Sequence, residues 1–216
     1  AVGWREPAPP PAATAVGAAP ARPLWRRGVA WGLTLAFAGQ AFAFYGTTAW
    51  LPSLLADEQG LDVVAAGASS SIFQVCAVVG SFAVPVLLHR LRRPWLVVLV
   101  VAAAWACLPL GLLLAPAAWA VWCALAGAAQ GGGITVLFVA VVLRARDAAE
   151  NRRLSAAMQC GGYAVAATGP LAVGAAHGAS GGWTAPLLVV LAAVVLLAVA
   201  GALSAGRTTV PARDTA

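Results

Sequence analysis

From about residue 28 to 206, long apolar runs bounded by short polar clusters divide the chain into six segments. They run from about Val29 to Leu55, Val63 to Leu88, Pro94 to Leu114, Ala117 to Leu143, Leu154 to His177 and Trp183 to Ser204. Each reaches the length of about 20 mostly apolar residues that a helix needs to cross the hydrocarbon core of a bilayer. A lone strand or open loop at that depth would leave backbone N–H and C=O groups unpaired, so the pattern predicts helices. The predicted fold class is all-α, a polytopic membrane protein of six transmembrane helices.

Composition supports lipid as the solvent. The chain is 62% hydrophobic and 9% charged, against about 25% charged residues in soluble domains. A chain of 216 residues folded in water could not hide that much apolar surface. The net charge of +6 would suit nucleic acid only if the basic residues formed one surface. They are instead spread in short clusters between the apolar runs, so no nucleic-acid partner is expected. All the basic charge is Arg. Cys76, Cys107, Cys123 and Cys160 lie within apolar runs without metal-ligand spacing and read as small hydrophobes. Neither a metal site nor a cofactor is expected.

The connections set the orientation. Arg5, Arg22, Arg26 and Arg27 precede the first span. Arg90, Arg92 and Arg93 follow the second, and Arg144, Arg146, Arg152 and Arg153 separate the fourth from the fifth. Arg207 and Arg213 follow the last. Every basic residue therefore falls on one side, while the opposite loops carry Asp57, Glu58 and Asp62. The positive-inside rule makes the Arg side cytoplasmic and predicts a multi-pass protein of the cell membrane with both termini inside. Trp25, Trp31 and Trp95 near the inner edge, with Trp50, Trp119 and Trp183 near the outer one, fit an interfacial aromatic belt. Residues 1–27, rich in Pro and Ala, read as a disordered cytoplasmic segment and linker, and residues 207–216 as a cytoplasmic tail.

No Asp, Glu or Arg falls within a predicted span, so no intramembrane ion path or proton relay is visible. Uncharged polar residues are unevenly distributed. Spans three and six are almost purely apolar and are expected to face lipid, whereas spans one, two, four and five each hold a glutamine: Gln40, Gln74, Gln130 and Gln159. In span five, Ser155, Gln159, Gly162 and Tyr163 share one helical face, and in span two Ser70, Gln74 and Ser81 do. Gln40 shares a face with Thr47, while Tyr45 points about 140° away. These polar groups serve either as interhelical contacts, at about 0.6 kcal/mol each, or as the lining of a cavity. Their confinement to four helices favours the cavity. Gln130-Gly131-Gly132-Gly133 allows close packing or bending of span four, with Gly127 and Gly131 as a small-xxx-small pair. Gly169-Pro170 predicts a kink in span five.

Several stretches carry a family resemblance. They are Leu143-Arg144-Ala145-Arg146-Asp147, Leu154-Ser155-Ala156-Ala157-Met158-Gln159, Gly162-Tyr163, Gly169-Pro170 and Gly182-Trp183-Thr184-Ala185-Pro186-Leu187. Trp50-Leu51-Pro52 and Ser71-Ile72-Phe73-Gln74 continue it upstream. Over about residues 28–206 the chain resembles the C-terminal half of a major facilitator superfamily transporter, within the cyanate permease/nitroimidazole transporter-like family. One departure is the turn after span two, where the superfamily places an acidic residue before Arg and this chain has His89-Arg90.

The resemblance implies one half of a twelve-helix fold, built from two inverted three-helix repeats, with substrate near the midplane. It implies a missing N-terminal six-helix half as partner and spans one, two, four and five as cavity walls. The function it implies is secondary active transport of a small polar or anionic solute, such as a cyanate-like anion or a small heteroaromatic, by alternating access. The expected substrate-binding residues are Gln40, Tyr45, Gln74, Gln130, Gln159 and Tyr163. The alternative is a non-transporting scaffold or truncated remnant in which the glutamines only pack. Enzyme activity is not expected: Ser69, Ser70 and Ser71 lack a mid-membrane His or paired carboxylate to act as base.

Overall fold

A computed structural model describes residues 27–206. The segment expected over residues 1–27 thus lies, except for Arg27, outside the described residues, as does the tail from residue 207. Arg5, Arg22, Trp25, Arg26, Arg207 and Arg213 fall there too. The described chain forms α1 (Gly28–Gln59), α2 (Val63–Leu91), α3 (Pro94–Leu114), a single 3-10 turn at Pro116–Ala118, α4 (Trp119–Arg144), α5 (Ala148–Ala166), α6 (Gly169–Ser180) and α7 (Thr184–Ala205). Five helices, α1, α2, α3, α4 and α7, are each long and apolar enough to cross a membrane. The sixth crossing is broken into α5 and α6. Pro170 has no N–H to give the Ala166 carbonyl, and the Thr168 N–H and hydroxyl both turn back to Val165 O. The expected kink at Gly169-Pro170 thus falls at the junction of α5 and α6, where the hydrogen-bond ladder lapses locally while Ala167 and Thr168 keep right-handed helical backbone.

The sequence places the ends of the helices. Gly60 takes the left-handed conformation after α1 (φ 63°) and Gly181 does so after α6 (φ 67°), where a Cβ would be strained. Asp62 caps α2 by accepting from the Ala65 N–H, and Asp147 caps α5 by accepting from the Glu150 N–H. Each satisfies a helix-terminal donor that would otherwise lack a partner.

Helix packing follows an approximate two-fold exchange of α1 with α4, α2 with α5/α6, and α3 with α7. α1 packs on α5 as α4 packs on α2, α1 packs on α7 as α4 packs on α3, and α3 meets α7 directly. These are the two three-helix repeats. Lipid gives helices no hydrophobic drive to associate, so close backbone approach carries the packing. A Cβ at Gly80 would run into the Ala128 carbonyl, one at Gly127 into the Phe73 carbonyl, and one at Gly131 into the Ala77 carbonyl. α4 continues unbroken through Gly131, Gly132 and Gly133, so this run serves packing and leaves the helix regular. α1 meets α7 in the same way at Gly39, against the Ala193 carbonyl.

The core runs the length of the bundle and includes Phe37, Phe73, Trp105, Leu137 and Leu197. α3 and α7 each put one face into this core and leave the other exposed, with Leu99, Val100, Leu110, Val195 and Leu203 outward. The helix ends sort as the loop charges predict. At the Arg-bearing end Arg27, at the start of α1, pairs with Glu150 on α5, and the Arg144 guanidinium at the end of α4 donates to the Gly206 carbonyl that closes α7. At the other end Trp183 Nε1 donates to Asp57 Oδ2 at 3.1 Å. His177 stacks on Trp183 with ring centroids 4.1 Å apart.

Candidate functional site

Four helices, α1, α2, α3 and α5, contribute aromatic side chains to one connected chain of ring contacts. Phe37 of α1 is buried and meets the Tyr163 ring of α5 edge-on, 5.0 Å between centroids. Gly162 makes that fit possible, because a Cβ there would overlap the Phe37 ring. Tyr163 faces Tyr45 of α1 at 6.5 Å, Tyr45 meets Phe44 at 5.2 Å, and Phe44 stacks on Phe73 of α2 at 6.2 Å. Phe73 in turn rests edge-on against the buried Trp105. Tyr45 and Tyr163 are 40% and 45% exposed, so two phenols stand at the open surface on an aromatic base. Gln74, next to Phe73, is also exposed.

The six expected binding residues divide into two groups. Tyr45, Gln74 and Tyr163 lie on open surface, with Gln159 half-buried one turn from Tyr163. Gln159 Nε2 donates to the Ser155 carbonyl of its own helix at 3.2 Å. Gln40 and Gln130 lie inside. Gln40 is 1% exposed, and its Nε2 donates to the Gln130 backbone carbonyl at 2.8 Å. Among the described residues its Oε1 has no hydrogen-bond partner and packs over Gly133. Thr47 is buried on the same side of α1 while Tyr45 faces outward, as the helical angle between them requires. The structure thus brings Tyr45 and Tyr163 together and Gln40 and Gln130 together, as two separate sets.

Two hydroxyls near these rings were not singled out as contacts by the sequence. Thr48 and Ser70 lie about one turn beyond the Phe44–Phe73 stack, on α1 and α2. Both oxygens are buried without a partner among the described residues. Ser70 belongs to the α2 polar stripe, but Thr48 carries no sequence signal beyond its neighbour Thr47. Nor does spacing reveal the outer support of α6. There the Trp50 indole donates to the Pro170 carbonyl at 2.9 Å and lies against Gly174. The tryptophans expected in an outer belt are in part structural: Trp183 is buried and Trp50 half-buried. No group of three or more His, Cys, Asp or Glu able to hold a metal occurs among the described residues.

Comparison with known proteins agrees with this architecture. Over 180 residues the chain is 31% identical to an uncharacterized transporter, YycB, of Bacillus subtilis (strain 168), covering 82% of this chain and 44% of that protein. Over 186 residues it is 31% identical to a 2-nitroimidazole transporter of Escherichia coli (strain K12), covering 86% of this chain and 47% of that protein. The chain spans about half the length of these curated relatives. A sequence model of the Major Facilitator Superfamily matches residues 1–166. With six crossings arranged as two three-helix repeats, the chain belongs to the Major Facilitator Superfamily.

Proposed function

We propose that this chain forms one six-helix half of a secondary active transporter of the cell membrane, working with an N-terminal six-helix half. It moves a small polar or anionic solute by alternating access, catalyses no covalent chemistry and keeps both termini in the cytoplasm. The observation that carries this reading is the exposed pair Tyr45 and Tyr163, whose rings face each other at 6.5 Å between α1 and α5, with Gln159 half-buried one turn from Tyr163 and Gln74 exposed on α2. Polar groups held on open surface near the midplane match where transporters of this build hold their substrates. Phenols and amides there hydrogen-bond a solute and exchange it for water as the cavity reopens. The relative named for 2-nitroimidazole supports a flat, small solute, which the edge-supported tyrosine rings suit by stacking. Gln40 and Gln130 lie inside the bundle, apart from this surface. That pair taken alone fits the alternative, a packing role in a scaffold or remnant, because its one hydrogen bond joins helix to helix.

The test is cysteine accessibility in the full-length transporter, in a background cleared of its native cysteines. Cysteine at position 74 or 163 is expected to react with a membrane-impermeant thiol reagent, and added solute is expected to slow the reaction. Full protection at both positions would assign these residues to packing and remove the cavity reading.

A further inference from the structure

A groove of about 490 Å³ runs along the outside of the bundle between α2 and α3, with α4 as its floor. It exists because α2 and α3 share far less contact than either shares with α4, and because Ala83, Ala104 and Ala128 line it with small side chains. The α3 wall carries no amide, hydroxyl or charged group anywhere along the helix, so it offers nothing to a polar solute. The lining ends at Arg90, exposed in the last turn of α2. His89, Arg92 and Arg93 beside it are also exposed. The chain holds no carboxylate between Asp62 and Asp147, and neither ion pair among the described residues uses Arg90. Gly80 and Arg90, at the two ends of the α2 wall, stand ten residues apart. That is about 15 Å of helix, half of the ~30 Å hydrocarbon core. The groove therefore has the length of one leaflet, apolar along its run and cationic at its mouth.

We propose that this groove binds an acyl chain of an anionic phospholipid from the leaflet on the Arg-rich side, with the phosphate held by the Arg90 guanidinium. A guanidinium presents paired N–H donors that match two phosphate oxygens. The chain methylenes supply the dispersion contacts that α2 and α3 do not make with each other. Arg92 and Arg93 add positive potential at the headgroup level. The site is separate from the Tyr45–Tyr163 surface and does not depend on the transport reading.

The experiment is native mass spectrometry of the full-length protein in mild detergent, offered phosphatidylglycerol and phosphatidylcholine of identical chains in equal amounts. The wild type is expected to retain phosphatidylglycerol about fivefold over phosphatidylcholine. Arg90→Gln, an exposed change checked by an unchanged melting temperature, is expected to bring the two lipids to equal retention. Ala104→Trp, which fills the groove, is expected to reduce retention of both. Equal retention of the two lipids by the wild type overturns the proposal, as does an unchanged preference in Arg90→Gln. Absence of any bound lipid overturns it in favour of protein covering the groove. Filling by Ala104→Trp without loss of lipid removes the groove as the site.

Discussion

The Gln40 side-chain amide donates to the Gln130 backbone carbonyl at 2.8 Å, and the two glutamines stand at matching places in the two repeats. Gln40 is the thirteenth residue of α1 and Gln130 the twelfth of α4. The bond thus ties the repeats together where the two-fold exchange brings α1 and α4 face to face. Its energetics are mixed, because Gln40 Oε1 is buried without a partner among the described residues. Gln40→Leu removes the bond and the unpaired oxygen together while keeping most of the volume, and is expected to change stability by less than about 1 kcal/mol. Gln40→Ala also opens a cavity and is expected to cost about 2 kcal/mol. Unfolding in detergent reads the difference, and equal losses for the two variants would count against this account.

The α2–α4 crossing gives a sharper contrast. A methyl at Gly80 or Gly131 meets backbone oxygen on the facing helix, which cannot rotate away, while one at Gly178 meets nothing within 4 Å. Gly80→Ala and Gly131→Ala are expected to destabilise by about 1–3 kcal/mol through forced separation of the helices. Gly178→Ala is expected to be neutral or slightly stabilising. Thermal unfolding of the three variants side by side checks this, and a tolerated Gly131→Ala would show that the crossing is looser than described.

Much of this was legible in the sequence, for specific reasons. Lipid permits few backbone solutions, so apolar length alone located the spans. A proline has no N–H, so Gly169-Pro170 announced a kink, and the junction of α5 and α6 lies there. Helical angle correctly separated Tyr45 from Gln40 and Thr47. Angle gives only relative direction, however, and nothing in α1 said that the Gln40 side faces α4 across 90 residues of chain. Trp183 looked like a belt residue because it begins an apolar run at the outer edge. Its burial, and its bond to Asp57 at a separation of 126 residues, depend on how α1 and α7 come together.

Arg92 is the one non-glycine residue with positive φ among the described residues, at 53°. It closes α2 by donating its N–H to the Leu88 carbonyl, at a place where glycine is the usual occupant. Arg92→Gly is expected to stabilise the fold by about 1 kcal/mol by relieving left-handed backbone strain. Arg92→Asn, which tolerates that conformation, is expected to follow it in part. A lowered melting temperature for both variants would mean that the Arg92 side chain contributes more than its backbone costs.

The open polar surface leads to a functional expectation. Gln74→Ala and Gln159→Ala remove amides without touching the core, since Gln74 is exposed and Gln159 half-buried. Each is expected to reduce solute uptake by the full-length transporter about tenfold, the loss of ~1.4 kcal/mol of hydrogen bonding to solute, with expression and melting temperature unchanged. Gln130→Ala is expected to lower stability before it alters apparent affinity. Uptake unaffected by both surface substitutions would return these amides to packing.

The junction of α5 and α6 at Thr168 gives the final expectation. Pro170 begins α6 with its carbonyl held by the Trp50 indole, and Gly169 lies against Phe42 at the α1 crossing, where a Cβ would come within 2.7 Å of the Phe42 carbonyl. α6 is therefore anchored to α1 on its own terms, independently of the α5 hydrogen-bond ladder. Pro170→Ala supplies the missing N–H to Ala166 without enlarging the side chain, and is expected to join α5 and α6 into one helix. Hydrogen exchange at residues 167–172 should slow, and stability should hold or rise. If rocking of one half against the other needs α6 to tilt relative to α5, uptake should slow while solute affinity stays constant. Slower exchange with an unchanged transport rate would show that the break only accommodates the tight α1 crossing, with α5 and α6 moving as one body.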